Sequence, residues 1–256
     1  MTKVISFINQ KGGVGKTTTC VNMASYLAEM GKKILIIDMD PQGNASSSVG
    51  INKEEKFKTI YDVLIDDEPI DNVIRPTKFE NLHIIPSNVD LAGAEIELVQ
   101  VNNREKVLRK SLNKVKEQYD FVCIDCSPSL GLISVNALTA SDSVIIPIQC
   151  EYLPLEGLSV LMYTIKLVKK HLNSDIDVEG VVLTMKDGRN NLGASVAEDI
   201  SRYFADKVFT TVIPRNVRLA EAPSFGEPIN HYDPKSTGAK AYKALTEEFL
   251  KRNKGV

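Results

Sequence analysis

The apolar run Val4-Ile5-Ser6-Phe7-Ile8 leads almost directly into Gln10-Lys11-Gly12-Gly13-Val14-Gly15-Lys16-Thr17-Thr18. A buried strand followed by a glycine-rich turn ending in Lys-Thr commits the start of the chain to a strand–loop–helix unit whose loop grips phosphate. In such a loop the backbone N–H groups and the following helix N-terminus cradle the phosphate oxygens. Gly12, Gly13 and Gly15 let the chain curl close to those oxygens with no Cβ in the way. Lys16 stands where a loop lysine reaches the β- and γ-phosphates, Thr17 brings the hydroxyl for Mg²⁺, and Val14 and Thr18 complete the cradle. The pattern G-x-x-x-x-G-K-[ST] is broken at its first position, which is Gln10, and a second lysine, Lys11, stands inside the loop. One lysine already serves the nucleotide, so Lys11 calls for its own explanation. The rival dinucleotide fingerprint fails, because a reading from Gly13 and Gly15 puts Thr18 where a small packing residue is needed. Its only support is Asp38, about 20 residues on, and that is weak.

A chain of 256 residues is long enough for one large α/β domain with a substantial core. The net charge of −2 does not mark a nucleic-acid binder, so any such activity has to come from a local patch. There is no signal-peptide pattern and no apolar stretch of bilayer-spanning length, and a cytoplasmic location is expected. Of the four cysteines, Cys123 and Cys126 have a C-x-x-C spacing, while Cys20 and Cys150 stand alone. Phe121-Val122-Cys123-Ile124-Asp125 reads as a buried strand, and no second pair completes a metal site, so buried thiols are expected rather than a redox or zinc pair. His83, His171 and His231 are scattered and read as surface or internally satisfied residues.

Apolar runs and helical patterns alternate along the chain. Strands are expected at 3–9, 33–38, 82–86, 120–125, 143–148, 178–184 and 208–213. Helices are expected at 16–30, 57–65, 89–98, 102–118, 130–140, 155–171, 191–205 and 237–251. Such alternation implies right-handed crossovers and an α/β fold, doubly wound around a mostly parallel sheet. No linker divides residues 1–256, so a single domain is expected.

Two further expected strands end in aspartate, and in a parallel sheet the strand C-termini line the ligand crevice. One gives Asp38-Met39-Asp40-Pro41-Gln42-Gly43-Asn44, the other Asp125-Cys126-Ser127-Pro128. Asp125 is the expected support for the metal, with Asp38 as a helper behind it, and Asp40 is placed to orient or deprotonate a water. For Asp38 and Asp40 a turn or cap role competes, since these sequences also form turns. The P-loop and the second strand-end acid together favour the site.

These segments resemble the deviant-Walker ATPases of the ParA/MinD group. Pro147-Ile148-Gln149-Cys150-Glu151-Tyr152, Leu183-Thr184-Met185 and Val212-Ile213-Pro214-Arg215-Asn216-Val217-Arg218 narrow the resemblance to the chromosomal ParA/Soj proteins, over nearly the whole chain. The resemblance implies a deviant P-loop ATPase using ATP and Mg²⁺. It implies that Lys11 crosses a dimer interface to the partner's nucleotide, with Gly12 in the plane where the protomers meet, so that ATP drives homodimer formation. It implies that Pro214 and Asn216 pack on adenine. It also implies that the ATP dimer binds nucleoid DNA of any sequence, with Arg189 and Arg218 as contacts, and that a ParB-type protein stimulates hydrolysis. A solvated surface or a rim salt bridge is the competing reading for each arginine, and it is the favoured one for the lysines of the basic tail 235–254. The rival function is a MinD-like membrane-associated, division-positioning ATPase. That needs a C-terminal amphipathic helix with a free apolar face. Here Ala241, Tyr242, Leu245, Phe249 and Leu250 suit docking on the chain's own core, so no stable membrane binding is expected.

Overall fold

The computed structural model describes residues 2–52, 55–150, 155–187, 198, 200 and 202–253. Seven strands form one sheet in the order β3-β4-β2-β5-β1-β6-β7. They are β1 (Lys3–Phe7), β2 (Ile34–Met39), β3 (Arg75–Pro76), β4 (Leu82–Ile85), β5 (Phe121–Cys126), β6 (Ser143–Gln149) and β7 (Asp177–Thr184). Every pairing is parallel except β3 with β4. The strands read as continuous apolar runs because both faces are covered. Val4, Leu35, Ile37, Val122 and Ile124 enter one core, under helices α3 (Ile60–Ile65), α4 (Leu91–Glu97), α5 (Val107–Leu112), α6 (Leu132–Ala140) and α7 (Leu155–His171). Ile5, Phe7, Ile34, Ile36 and Phe121 alternate with them into the other, under α1 (Lys16–Glu29) and the C-terminal helix (Thr237–Arg252). The expected doubly wound, mostly parallel α/β fold is the one observed.

Cys123 and Cys126 are three residues apart on β5 and enter opposite cores, so they cannot act as a pair. Both are buried free thiols, pushed up to about 12 by burial. Among the histidines, His83 shares a 2.8 Å hydrogen bond with the Tyr119 hydroxyl, and His231 lies 4.4 Å from the Phe79 ring, centroid to centroid.

Three expected elements are redrawn. The strand at 208–213 is not a sheet strand; it touches β7 through an isolated bridge from Val181 to Val208 and hydrogen bonds from Phe209 N to Val181 O and from Ile213 N to Leu183 O. Between those bonds Thr210 N and Thr211 N turn to the Glu248 carboxylate at 2.8 and 2.9 Å, so the ladder is interrupted. The helix at 102–118 breaks into a 3-10 turn at Arg104–Lys106, helix α5 and a second 3-10 turn at Lys116–Gln118. Asn103 enters it in the left-handed region, and Asn136 Oδ1 takes Leu108 N at 3.2 Å. Its Leu108, Leu112 and Val115 are core residues, so the segment packs inward despite its many charges. The helix at 57–65 starts only at Ile60, where Thr59 and Asp62 form a capping box. Most of the expected helix at 191–205 lies outside the described residues.

Candidate nucleotide site

β1 delivers the chain to the sheet's C-terminal edge, and Asn9 turns it into the loop. Asn9 Nδ2 donates to Pro147 O on β6 at 2.7 Å, and its Oδ1 accepts from Lys11 N at 3.0 Å. Gly13 and Gly15 take φ of +72° and +87°, and Gly15 caps α1 in the left-handed conformation that any side chain resists. Thr184, at the end of β7, donates its hydroxyl to Val14 O at 2.8 Å and pins the loop from the other side. Lys11, Gly12 and Gly13 are exposed, while Lys16 is only 7% exposed. The Lys16 ammonium folds back to donate to Lys11 O at 3.0 Å. Burial lowers its pKa, and the nearby Asp125 carboxylate opposes that shift.

Asp38 and Asp125 are register partners on β2 and β5 and are fully buried. Their environments differ. Asp38 Oδ2 accepts from Ser46 N at 2.8 Å and from the Ser46 hydroxyl at 2.7 Å, and its Oδ1 accepts from Asp40 N at 3.2 Å. Both oxygens therefore hold the loop 40–46, and burial raises the carboxyl to about 6 despite those bonds. Asp125 Oδ2 accepts the Thr17 hydroxyl at 2.7 Å, but its Oδ1 is buried with no hydrogen-bond partner among the described residues. Burial first, and the Asp38 charge second, push Asp125 well above the usual carboxylate range, against the Thr17 bond. A buried carboxylate oxygen with no donor, beside a hydroxyl at a P-loop, is the oxygen donor set a hard divalent cation takes. The residues present fit Mg²⁺. Asp40 is 9% exposed and its Oδ1 accepts from Gln42 N at 2.9 Å, so the turn role that competes for it is realised with one of its two oxygens.

A cavity of about 240 Å³ opens beside the start of α1, lined among others by Gly15, Thr18, Met185, Pro214, Asn216 and Tyr242. The Asn216 side chain caps the short helix Val217–Glu221, accepting from Arg218 N at 2.8 Å and donating to the Thr237 hydroxyl at 2.7 Å. Pro214 is held by strand-like bonds from Lys186 N to Ile213 O and from Arg215 N to Lys186 O. Arg218 is half-exposed and forms ion pairs with Glu221 at 2.9 Å and Asp233 at 3.5 Å. Arg189 lies outside the described residues. In the basic tail, Arg252 is engaged: its guanidinium sits 4.2 Å over the Phe209 ring and bonds Val208 O at 2.8 Å. Among the described residues, no helix is long and apolar enough to cross a membrane.

The sequence reading brought together Lys16, Thr17, Asp125, Asp38 and Asp40, and it missed Asn9, Ser46 and Thr184. Asn9 carried a signal, as a polar residue closing an apolar strand just before the loop. Ser46 sits in a serine run that does not distinguish it from Ser47 and Ser48.

A family profile described as an AAA domain matches residues 2–178. The sporulation initiation inhibitor protein Soj of Bacillus subtilis is 57% identical over 248 residues, covering 97% of this chain and 98% of that protein. The chromosome partitioning protein ParA of Myxococcus xanthus is 51% identical over 251 residues, covering 98% and 89%. Among solved structures, cobyrinic acid a,c-diamide synthase from Mycobacterium smegmatis with bound ADP and magnesium superposes with a TM-score of 0.88 at 34% identity, covering 100% of this chain and 96% of that one.

Proposed function

The chain belongs to the Soj/ParA family of chromosome-partitioning proteins, and we propose that it is a single-domain, Mg²⁺-dependent ATPase that partitions DNA by cycling between monomer and ATP-bound dimer. The observation that carries this reading is the pairing of Thr17 with a buried Asp125 whose second oxygen has no partner, next to a buried Lys16. Lys16 gives up its bond to Lys11 O to meet the β- and γ-phosphates, while the Gly12–Thr18 backbone cradles them. Thr17 and Asp125 would hold Mg²⁺, which supplies neutralisation of phosphate charge when bound. Asp40 keeps one oxygen on its turn and uses the other to orient the attacking water. Lys11, exposed at the loop tip, acts across the dimer on the partner's nucleotide, with Gly12 at the plane of contact. The cavity by Pro214 and Asn216 takes the adenine, Pro214 as wall and Asn216 chiefly by holding the Val217–Glu221 helix.

The ATP dimer binds nucleoid DNA in the cytoplasm through Arg189 and Arg218, and a ParB-type protein stimulates hydrolysis. Contact with a phosphate draws Arg218 from Glu221 and Asp233 at small cost, because ion pairs between exposed side chains add little to stability. The C-terminal helix favours this reading over a MinD-like membrane protein, since Tyr242, Leu245 and Phe249 are buried against the chain's own core. The test is hydrolysis of ATP with Mg²⁺ and after chelation, sizing with ATP and ADP, and capture of arbitrary duplex DNA across salt. ATP-dependent DNA binding should fall with salt at a log–log slope of about −0.9 per neutralised phosphate. Binding to anionic vesicles but not to DNA would reject partitioning in favour of the membrane reading.

A further inference from the structure

We propose that the cavity between α3 and α5 is a binding site for a small amphipathic carboxylate, with its apolar body on the cavity floor and its head group at Lys106, Lys110 and Ser111. The cavity holds about 510 Å³, within the range of about 300–1,000 Å³ that takes a whole small molecule. None of the residues lining it belongs to the phosphate loop, the strand-end aspartates or the cavity beside α1. α3 brings Val63 and Leu64, which are buried, and α5 brings Val107, half-buried against the same core. These side chains give the cavity an apolar floor.

The polar groups of the cavity are unmatched within the chain. Lys106 immediately precedes α5 and Lys110 lies one turn on, so both ammonium groups reach the same rim. Both are exposed, and neither is paired with a carboxylate among the described residues. Like charges at this spacing repel, and an anion between them replaces that repulsion by two attractions. Val107 and Ser111 repeat the spacing one residue on and face the cavity. Ser111 is only 7% exposed, and its hydroxyl has no hydrogen-bond partner among the described residues. A helical hydroxyl commonly turns back to the carbonyl four residues before it, as Thr246 does to Tyr242 O at 2.8 Å. The Ser111 hydroxyl makes no such bond. A sheltered hydroxyl without a partner costs free energy, and this one opens on the cavity, where a ligand oxygen can meet it.

Charge and shape together select the occupant. One carboxylate, Asp67, lies on the rim just beyond α3. Asp62 and Glu68, on either side of it in the chain, are already met by Lys58 at 2.9 and 3.8 Å. Two lysines against Asp67 leave the rim net positive, so an anion is favoured over a cation. A bare inorganic anion would meet the lysines and leave the floor of Val63, Leu64 and Val107 unused. A neutral hydrophobe would cover the floor and leave both lysines and Ser111 unmatched. A singly charged carboxylate on a short hydrocarbon body uses both sets of groups. Asp67 opposes a second negative charge and keeps the head group on the α5 side.

The test is a titration of the full, isotope-labelled chain with octanoate, followed by amide NMR, with octanol, octylammonium and acetate as controls. Octanoate should half-saturate at or below about 1 mM, and each control should bind at least about tenfold more weakly. The shifted amides should be those of 63–67 and 101–111. Lys106→Ala with Lys110→Ala should weaken octanoate about tenfold or more and leave octanol unchanged. Ser111→Ala should weaken octanoate severalfold, whereas Asp67→Asn should tighten it by removing the repelling charge. Lys166→Ala, on α7, should change nothing, and unshifted amides of β1 and β5 show that each variant is folded. Octanol binding as tightly as octanoate, or unchanged affinity in the lysine or Ser111 variants, overturns the site. So does a shift confined to other parts of the chain, or half-saturation only above about 10 mM, which is adventitious binding. A dimer that Val107→Asp converts to monomer, with octanoate affinity intact, assigns the cavity to a second copy of the chain and also overturns it. No nucleotide enters the titration, so its outcome is independent of the ATPase reading.

Discussion

Replacing Glu248 by Gln should unfasten the segment that displaces the expected last strand. Glu248 accepts from Thr210 N at 2.8 Å, Thr211 N at 2.9 Å and the Thr211 hydroxyl at 2.7 Å, and Arg252 braces it at 2.7 Å. Burial pushes the carboxyl up, but these bonds outweigh it and hold the group down at about 2. Holding the group at about 2 against an unfolded value near 4.5 corresponds to about 3.4 kcal/mol. The side chain keeps 16% exposure, so water screens part of this, and about 2 kcal/mol is expected at pH 7. For a chain of this size that lowers Tm by about 4–8 °C. The sign follows from a depressed pKa: the native state binds fewer protons, so the stabilisation is complete above pH about 4.5 and disappears as pH falls through about 2. The gap between wild type and Glu248→Gln should therefore shrink by about 40% between pH 7 and about pH 3.5. Urea unfolding at pH 7, 5 and 3.5 measures it. A gap under about 0.5 kcal/mol at pH 7, or one that stays constant down to pH 3.5, would falsify the reasoning.

Lys16→Ala should abolish nucleotide binding, whereas Lys11→Ala should bind ATP yet remain monomeric; light scattering with ATP separates them, and a stable Lys11→Ala dimer removes the action in trans. Asp40→Ala should dimerise with ATP but release no phosphate in a single turnover, and near-normal release moves the water-positioning role elsewhere. Ser46→Ala should cost about 2–3 kcal/mol, because it strips a bond from Asp38 and leaves Ser87 N, 3.1 Å from that hydroxyl, without an acceptor. The adjacent Ser87→Ala should be neutral in the same melts, since the Ser87 hydroxyl is buried and unpaired. Asp125→Asn should raise the Tm of the nucleotide-free protein while shrinking the further rise given by Mg-ADP, and a lower nucleotide-free Tm would contradict the reading of Asp125 as a strained carboxylate.

The sheet was legible because its parallel strands are buried on both faces and write themselves as unbroken apolar runs, as in Ile34-Leu35-Ile36-Ile37. The same rule misled at 208–213, where Val208, Phe209 and Ile213 look like a strand but serve a segment pinned to Glu248, far away in sequence. β3 was not legible at all: its two residues, Arg75-Pro76, have no period to read. At the site, Lys16, Thr17 and Asp125 could be found because phosphate and metal chemistry restricts which residues can occupy such positions. Asn9 and Thr184 act only on backbone groups, Asn9 by donating to Pro147 O and accepting from Lys11 N, Thr184 by donating to Val14 O. Many polar residues could do that, so the sequence carries little trace of which ones do.

Asp38 and Asp125 make the division of labour at the strand ends intelligible. They are neighbours across β2 and β5 and equally buried; burial pushes both carboxyls up, and the Asp38 charge pushes Asp125 further. What separates them is hydrogen bonding. Asp38 has three protein donors and shapes the loop that aims Asp40. Asp125 has one, from a hydroxyl that can turn to a metal, and so keeps an unmet need for positive charge in a dry place. On the proposed function, a cation arriving with phosphate would meet that need, and Lys16, buried nearby and bonded to the Lys11 carbonyl, would turn to the phosphates. On that same reading, a nucleotide that lacks the γ-phosphate would complete less of this arrangement, and the same few residues would make assembly depend on the ATP state.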